Sequence, residues 1–296
     1  MSKLSNEWIE DHQSRINKIL IDLFNSRENN STLHKACSYS VLSGGKRIRA
    51  LLVYAVGGIA NTDIKILDQI AISFELIHAY SLIHDDLPSM DDDNLRRGKE
   101  TCHIKFNEAQ AILAGDALQA LSFELLSSPQ FKVSSSKKIT MINILSKAIG
   151  ETGMVLGQSQ DIESTNHELN INYLDELQRL KTGLLIQAAC EITYVSADYL
   201  DKETEQLIKK IGALIGKIYQ ITDDILDYES STTILGKTAG KDKKDNKTTY
   251  VSLIGIKKSK EKNSYYFSEL KKCVMSLPNH SNNMMALIDY IYSRSY

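Results

Sequence analysis

Apolar residues recur at three- and four-residue spacing through most of the chain. Leu67, Ile70, Ile72, Leu76, Ile77 and Ile83 form one run. Leu174, Leu177, Leu180, Leu184 and Leu185 form a second, and Leu207, Ile211, Leu214, Ile215 and Ile218 a third. That period marks helices with a buried face. Pro88, Pro129 and Pro278 are the only prolines, leaving long stretches free of the residue that most disrupts a helix. Alternating strand-like runs closed by Asn-Gly or Asp-Gly turns are absent. The pattern predicts about ten helices, roughly 6–26, 31–42, 46–59, 64–87, 107–127, 136–164, 172–196, 201–229, 261–276 and 282–294. Many carry apolar residues on more than one face, so an all-α class with a large helical bundle is expected. Neither a fixed-period repeat nor a Pro/Ser-rich linker interrupts the chain, so 1–296 is read as a single domain.

With 296 residues, 42% of them hydrophobic, the chain can bury a large core. A net charge of −2 argues against a nucleic-acid partner and gives no membrane-surface bias. Cys37, Cys102, Cys190 and Cys273 lie far apart without a Cys-x-x-Cys pair, as reduced packing residues would. The polar start predicts no signal peptide, and no apolar run reaches the ~18 residues of a membrane span. The expectation is a soluble, cytoplasmic protein.

Charge is segregated locally. Asp85-Asp86-Leu87-Pro88-Ser89-Met90-Asp91-Asp92-Asp93 packs five carboxylates into nine residues, and Asp223-Asp224-Ile225-Leu226-Asp227 forms a second cluster. Two unit charges 4 Å apart repel by roughly 4 kcal/mol at an effective dielectric of 20. Apolar flanks place both clusters at core-like helices, where such repulsion calls for cations. Hard oxygen ligands of this kind suit Mg²⁺, which keeps several waters and bridges carboxylates to phosphates. On a helix Asp223 and Asp227 share a face, with Asp224 about 100° round. Asp91 lies about 240° round an ideal helix from Asp85, whereas Asp92 would lie almost above it. Pro88 must end or bulge that helix. The chain can then return Asp91 to Asp85, but periodicity alone does not prefer Asp91 to Asp92.

Basic residues supply the complementary half. Gly44-Gly45-Lys46-Arg47-Ile48-Arg49 sets two glycines before a helix, whose free N–H groups favour anions. Lys46 and Arg49 share a face and can reach one phosphate group, while Arg47 points elsewhere. Arg96-Arg97 follows the first acidic cluster, and guanidinium forks match phosphate oxygens. His78 lies seven residues before Asp85 on nearly the same face, either as a core histidine or as a diphosphate donor. Lys181-Thr182-Gly183 places polar atoms at a glycine inside a helix. Gln158 and Asp161, three apart, suit either ordering of metal-bound water or a buried structural pair.

Taken in order, these segments resemble the trans-prenyltransferases of isoprenoid biosynthesis, of the bacterial farnesyl diphosphate synthase type. The matching segments are Gly44 to Arg49, Glu75 to Pro88 with Asp91, Arg96-Arg97-Gly98, Leu113-Ala114-Gly115-Asp116-Ala117-Leu118, Gly157 to Asp161, Lys181-Thr182-Gly183, Gln220 to Asp227, Gly236 to Asp242 and Lys247-Thr248-Thr249-Tyr250. The resemblance implies an isoprenoid-synthase helical bundle around a central cavity, a homodimer, and three Mg²⁺ ions for which Mn²⁺ substitutes. It implies that Asp85 and Asp91 hold two of the ions and Asp223 the third. Arg96, Lys181 and Lys237 would grip the allylic diphosphate, and Lys46, Arg49, His78 and Arg97 the isopentenyl diphosphate. Thr182 and Gln220 would place oxygens near the allylic cation, and Lys247 would sit on a closing loop.

The reaction so implied ionises an allylic diphosphate, couples the carbocation to isopentenyl diphosphate and releases diphosphate. The sequence departs from the family pattern at Ala50, where proline is usual, and at Leu156, where a second glycine often stands. Neither removes a ligand. Tyr80, about 7.5 Å along the helix from Asp85, and Ser81 beside it would set chain length at fifteen carbons. Geranylgeranyl or geranyl diphosphate is the alternative product. A di-iron carboxylate bundle is the alternative from another class, since Glu75-Leu76-Ile77-His78 and Glu100-Thr101-Cys102-His103 match its Glu-x-x-His spelling. Iron would leave the basic residues unexplained.

Overall fold

The computed structural model describes residues 3–165, 167, 169–199, 201–229, 248–277 and 281–293. Its helices are α1 (Lys3–Ser26), α2 (Thr32–Leu42), α3 (Ile48–Ile59), α4 (Ile64–Asp85), α5 (Cys102–Phe106), α6 (Glu108–Ser127), α7 (Ser135–Ile149), α8 (Met154–Glu163), α9 (Ile171–Gln178), α10 (Leu184–Ser196), α11 (Lys202–Glu229), α12 (Tyr250–Met275) and α13 (Ser281–Ser293). A π-helical turn, Arg179–Gly183, joins α9 to α10. The all-α expectation holds. Polar side chains start the helices by capping free N–H groups: Ser31 on His34, Asp63 on Lys65, Asn107 on Gln110, Ser134 on Lys137 and Asn170 on Tyr173.

α3 and α10 bury side chains around most of their circumference and hold the bundle together. Ala50, Val53 and Tyr54 of α3, with Leu185, Ala188, Ala189 and Ile192 of α10, join the core built on α4, α6 and α7. Ile48, Leu51 and Leu52 of α3 and Ile186 and Cys190 of α10 join a second core with α11, α12 and α13. Among the described residues α4 is the one helix long and apolar enough to cross a membrane. Most of its apolar side chains from Leu67 to Ile83 are packed in the core. All four cysteines are free and buried.

Three expectations about the elements need correction. The helix expected over 136–164 is two, because Gly150 and Gly153 take non-helical backbone conformations between α7 and α8. A Cβ at Gly153 would lie 2.2 Å from the Ala148 carbonyl oxygen, so only glycine fits. The helix expected from 261 begins at Tyr250, where Thr249 and Ser252 form a reciprocal capping box, and it bends at Gly255. A short antiparallel hairpin, β1 (Leu95–Arg96) and β2 (Lys99–Glu100), was not expected. Its turn residues Arg97 and Gly98 both have positive φ, +55° and +73°, the geometry that suits a two-residue hairpin. The hairpin is what aims Arg96 and Arg97.

Candidate active site

The break at Pro88 places Asp91 and Asp92 differently with respect to Asp85. Beyond the end of α4 the chain makes a closed excursion, and the Asp91 N–H donates to the Asp85 carbonyl at 2.8 Å. Asp91 therefore returns beside Asp85. Asp92 adopts a left-handed conformation (φ +48°), bonds through its N–H to Leu87 and is exposed. Burial pushes the Asp85 carboxyl up to about 6; Lys181 and Arg96 oppose the rise, and Asp91 and Asp86 add to it. Asp86 takes another path. It is buried, and Arg96 Nε donates to both its oxygens at 2.8 Å, with Asp93 3.7 Å from the same guanidinium. Burial opposes the charge on Arg96, but the bonded Asp86 carboxylate raises its pKa above the ordinary value. Arg96 is thus held by a carboxylate neighbour that helix spacing does not reveal.

The π turn carries the Lys181-Thr182-Gly183 segment, and an inserted residue of this kind swings side chains out of helical register. Two glycines clamp it. A Cβ on Gly157 of α8 would lie 2.3 Å from Lys181 N, and one on Gly216 of α11 would lie 2.7 Å from Gly183 Cα. Lys181 Nζ bonds Asp161 at 2.6 Å. Thr182 Oγ1 donates to Gln220 Oε1 at 3.3 Å, and Gln220 Nε2 donates to Asp224 Oδ1 at 2.8 Å. The other Asp224 oxygen accepts the Tyr250 N–H at 2.8 Å, while the Tyr250 hydroxyl donates to Asp175. Asp224 is therefore buried structure, whereas Asp223 beside it is only partly buried. Gln158 keeps both amide polar atoms buried and without a hydrogen-bond partner among the described residues.

The basic turn folds tightly because Gly44, Gly45 and Arg47 have φ of +91°, +120° and +54°. Arg47 does point away, into the core against Glu75. Arg49 leaves its Nε buried and without a hydrogen-bond partner among the described residues, and burial lowers its pKa. Arg97 donates to the Gly44 carbonyl, and its guanidinium lies where a Cβ of Gly45 would fall. Burial, then Arg49, Arg97, Arg96 and Arg47, push the His78 imidazole well below its usual range. It is neutral at pH 7 and sits among arginines. His78, Arg47, Glu75, Asp86, Arg96 and Arg97 all line a small cavity of about 40 Å³ that is partly open to solvent. A buried guanidinium lacking an acceptor, beside other cations, is built for an anion. Lys46 is exposed, and its carbonyl accepts from Gln13 Nε2.

Tyr80 is 5% exposed and lies edge-on to His84 at 5.6 Å, and burial raises the pKa of its hydroxyl. Ser81 Oγ donates to the His78 carbonyl at 3.0 Å. Lys237 and Lys247 lie outside the described residues. Among the described residues no three His, Cys, Asp or Glu side chains form a metal cage of their own. The donor set still fits Mg²⁺: Asp85 and Asp91 are adjacent hard carboxylates whose mutual repulsion a cation would relieve, leaving coordination positions for water and phosphate oxygens. The Glu-x-x-His spelling gains no support. Glu75 is tied to Arg47, and His103 sits on α5 against Thr101.

Residues 30–291 match the polyprenyl synthetase family. The chain belongs to that family. The farnesyl diphosphate synthase of Haemophilus influenzae is 41% identical over 98% of each chain. Geranylgeranyl pyrophosphate synthase 4 of Arabidopsis thaliana is 44% identical over 77% of this chain and 62% of its own. A crystal structure of geranyltransferase from Helicobacter pylori, complexed with magnesium and isoprenyl diphosphate, aligns with a TM-score of 0.87 and 32% identity over 99% of both chains. As a polyprenyl synthetase the chain has the all-α isoprenoid-synthase fold.

Proposed function

We propose that this polyprenyl synthetase is a Mg²⁺-dependent transferase of the farnesyl diphosphate synthase type. It condenses isopentenyl diphosphate with dimethylallyl and geranyl diphosphates, releasing diphosphate. The observation that carries the reading is the Asp91-to-Asp85 backbone bond, which pairs two carboxylates near Lys181 and Arg96. Bound Mg²⁺ supplies Lewis-acid stabilisation of the charge that develops on the leaving diphosphate. Asp85, Asp91 and Asp223 would hold the ions, three by the resemblance, with Mn²⁺ as substitute. Lys181, Arg96 and Lys237 balance the same leaving charge from the protein side. Thr182 and Gln220 present oxygens toward the allylic carbon, and their mutual bond at 3.3 Å keeps them in place. Lys46, Arg49, His78 and Arg97 hold the second diphosphate, and a neutral His78 donates one hydrogen bond without adding charge. By the resemblance, Lys247, outside the described residues, would help to exclude water.

Tyr80 and Ser81, behind Asp85 on α4, are the proposed limits on product length. The whole chain acts as one catalytic domain, since α3, α4, the hairpin, the π turn and α11 all contribute. A homodimer would cover Ile112 and Leu113, which stand exposed on α6. We place the enzyme in the cytoplasm, in keeping with its water-soluble substrates.

Incubation with isopentenyl and geranyl diphosphates, followed by chromatography of the dephosphorylated product, tests the activity. Turnover should vanish with a chelator and return with Mg²⁺. Asp85→Ala or Asp223→Ala should lower it by about three or more orders of magnitude with helix content intact. Near-normal turnover of either variant at saturating Mg²⁺ would refute the metal assignment.

A further inference from the structure

We propose that Arg47 and Glu75 are positioning residues: buried behind Lys46 and Arg49, they lock the turn that carries that clamp and so set affinity for isopentenyl diphosphate without touching it. The inference rests on the assignment of Lys46 and Arg49 to that substrate.

The turn does not hold itself. Three of its four residues, Gly44, Gly45 and Arg47, have left-handed backbone, which is unfavourable for arginine. Arg47 is the N-cap of α3 but makes no side-chain cap bond. The cap comes from α4 instead, where Glu75 Oε1 accepts the Ala50 N–H at 3.3 Å. Glu75 Oε2 accepts Arg47 Nη1 at 3.0 Å. Arg47 then donates through Nη2 to the Val41 carbonyl of α2 and through Nε to Asn17 Oδ1 of α1, both at 2.9 Å. Three helices therefore grip the one residue that follows Lys46 and precedes Arg49 by two. The pair is dry, with side-chain exposures of 4% and 2%. A pair that has lost its hydration is held in one geometry by its hydrogen bonds, unlike a surface pair.

The same carboxylate registers the turn against the rest of the anion pocket. Glu75 precedes His78 by three residues on α4, so the two share a helix face, and both line the cavity with Arg97. Glu75 also favours the charged forms of Arg49 and Arg97, which burial disfavours. An ion pair of merely structural value would change stability and leave the two substrates equally affected. A positioning pair must act on one substrate.

Steady-state kinetics with isopentenyl and geranyl diphosphates varied separately distinguishes these on the full chain. Glu75→Gln keeps the shape but removes the charge, and should raise the isopentenyl diphosphate KM about tenfold or more, because small misplacements of binding groups are costly. The geranyl diphosphate KM should stay within about twofold, and kcat should fall less than the isopentenyl KM rises. Asn17→Ala, which removes one acceptor from Arg47, should shift the same KM in the same direction by about threefold; it carries the test if Glu75→Gln fails to fold. The double variant Arg47→Gln/Glu75→Gln leaves no unpaired buried charge, so it should regain melting temperature over Glu75→Gln yet keep the raised KM. Recovery of melting temperature and KM together, or parallel rises of both KM values in the single variants, would overturn the inference. Arg49→Ala separates the two levels. If it leaves the isopentenyl KM unchanged, the clamp assignment falls and takes the inference with it; if it raises that KM while Glu75→Gln and Asn17→Ala do not, only the positioning role falls.

Discussion

Gly216 marks the point where α11 crosses the π turn, and replacing it by alanine couples packing to catalysis at a calculable distance. The new Cβ would lie 2.7 Å from Gly183 Cα, whereas ordinary contact begins at 3.4 Å, so about 0.7 Å (3.4 − 2.7) of separation must be found. Gly183 Cα is backbone, so no rotamer can absorb the shift. Gln220 stands one turn further along α11, and its bond from Thr182 at 3.3 Å spans the same interface. Moving the two elements apart by that amount takes the pair to about 4 Å, beyond hydrogen-bond range. Overpacking costs about 1–3 kcal/mol, and replacing glycine by alanine within a helix returns about 1 kcal/mol. The net loss is about 0–2 kcal/mol, a few degrees in melting temperature for a chain of this size. Displacing groups at the reacting centre is more costly, and turnover should fall about 10- to 100-fold, or about 1.4–2.7 kcal/mol in barrier.

Gly212→Ala is the matched control. Its Cβ would lie 2.8 Å from Gln187 Cα, also backbone, but one turn further from Gln220. It should lose similar stability while keeping turnover within about threefold. Thermal melts and saturating-substrate turnover of the three proteins give the comparison. Wild-type turnover in Gly216→Ala, or equal rate losses in both variants, would refute the coupling.

In the metal-free protein Asp85 stands at about 6 against an ordinary 3.8, so between those values the folded state holds a proton that the unfolded chain releases. The destabilisation is absent below 3.8, grows through the interval and is complete above 6; Asp85→Asn should therefore raise the melting temperature in chelator at pH 7.5, with a gain that shrinks as pH falls toward 4. A gain independent of pH would count against the buried carboxylate as its origin. Tyr80→Ala should yield twenty-carbon or longer products, because it removes a buried ring behind Asp85 while leaving the aspartates in place. A folded, active variant making only the fifteen-carbon product would show that Tyr80 is core alone, with a stability cost of about 3–5 kcal/mol its only consequence. Glu75→Leu should cost about 3–5 kcal/mol in chemical denaturation, since it strands Arg47 as a buried, unpaired charge; a loss below about 1 kcal/mol would mean that water reaches the guanidinium.

Helices, their approximate extents and the chemistry of the aspartate and lysine–arginine segments were legible in the sequence because they depend on local spacing. A 3.6-residue period decides which side chains share a face, and a run of carboxylates beside a run of guanidinium groups implies phosphate and cation wherever the two meet. Spacing carries no information once the backbone leaves the helix. The return of Asp91 to Asp85 depends on one backbone bond across the Pro88 excursion, and the aim of Arg96 and Arg97 on a hairpin turn that lacks the usual Asn-Gly spelling. The π turn at Lys181-Thr182-Gly183 was likewise hidden, since an inserted residue changes register without changing composition. The start of α12 could have been found from the Thr249–Ser252 capping box. The pairings of Arg47 with Glu75, Arg96 with Asp86 and Lys181 with Asp161 could not, being 28, 10 and 20 residues apart in sequence. Which charge meets which is fixed by how helices pack, and that is a property of the assembled bundle, where burial makes every unmatched charge expensive.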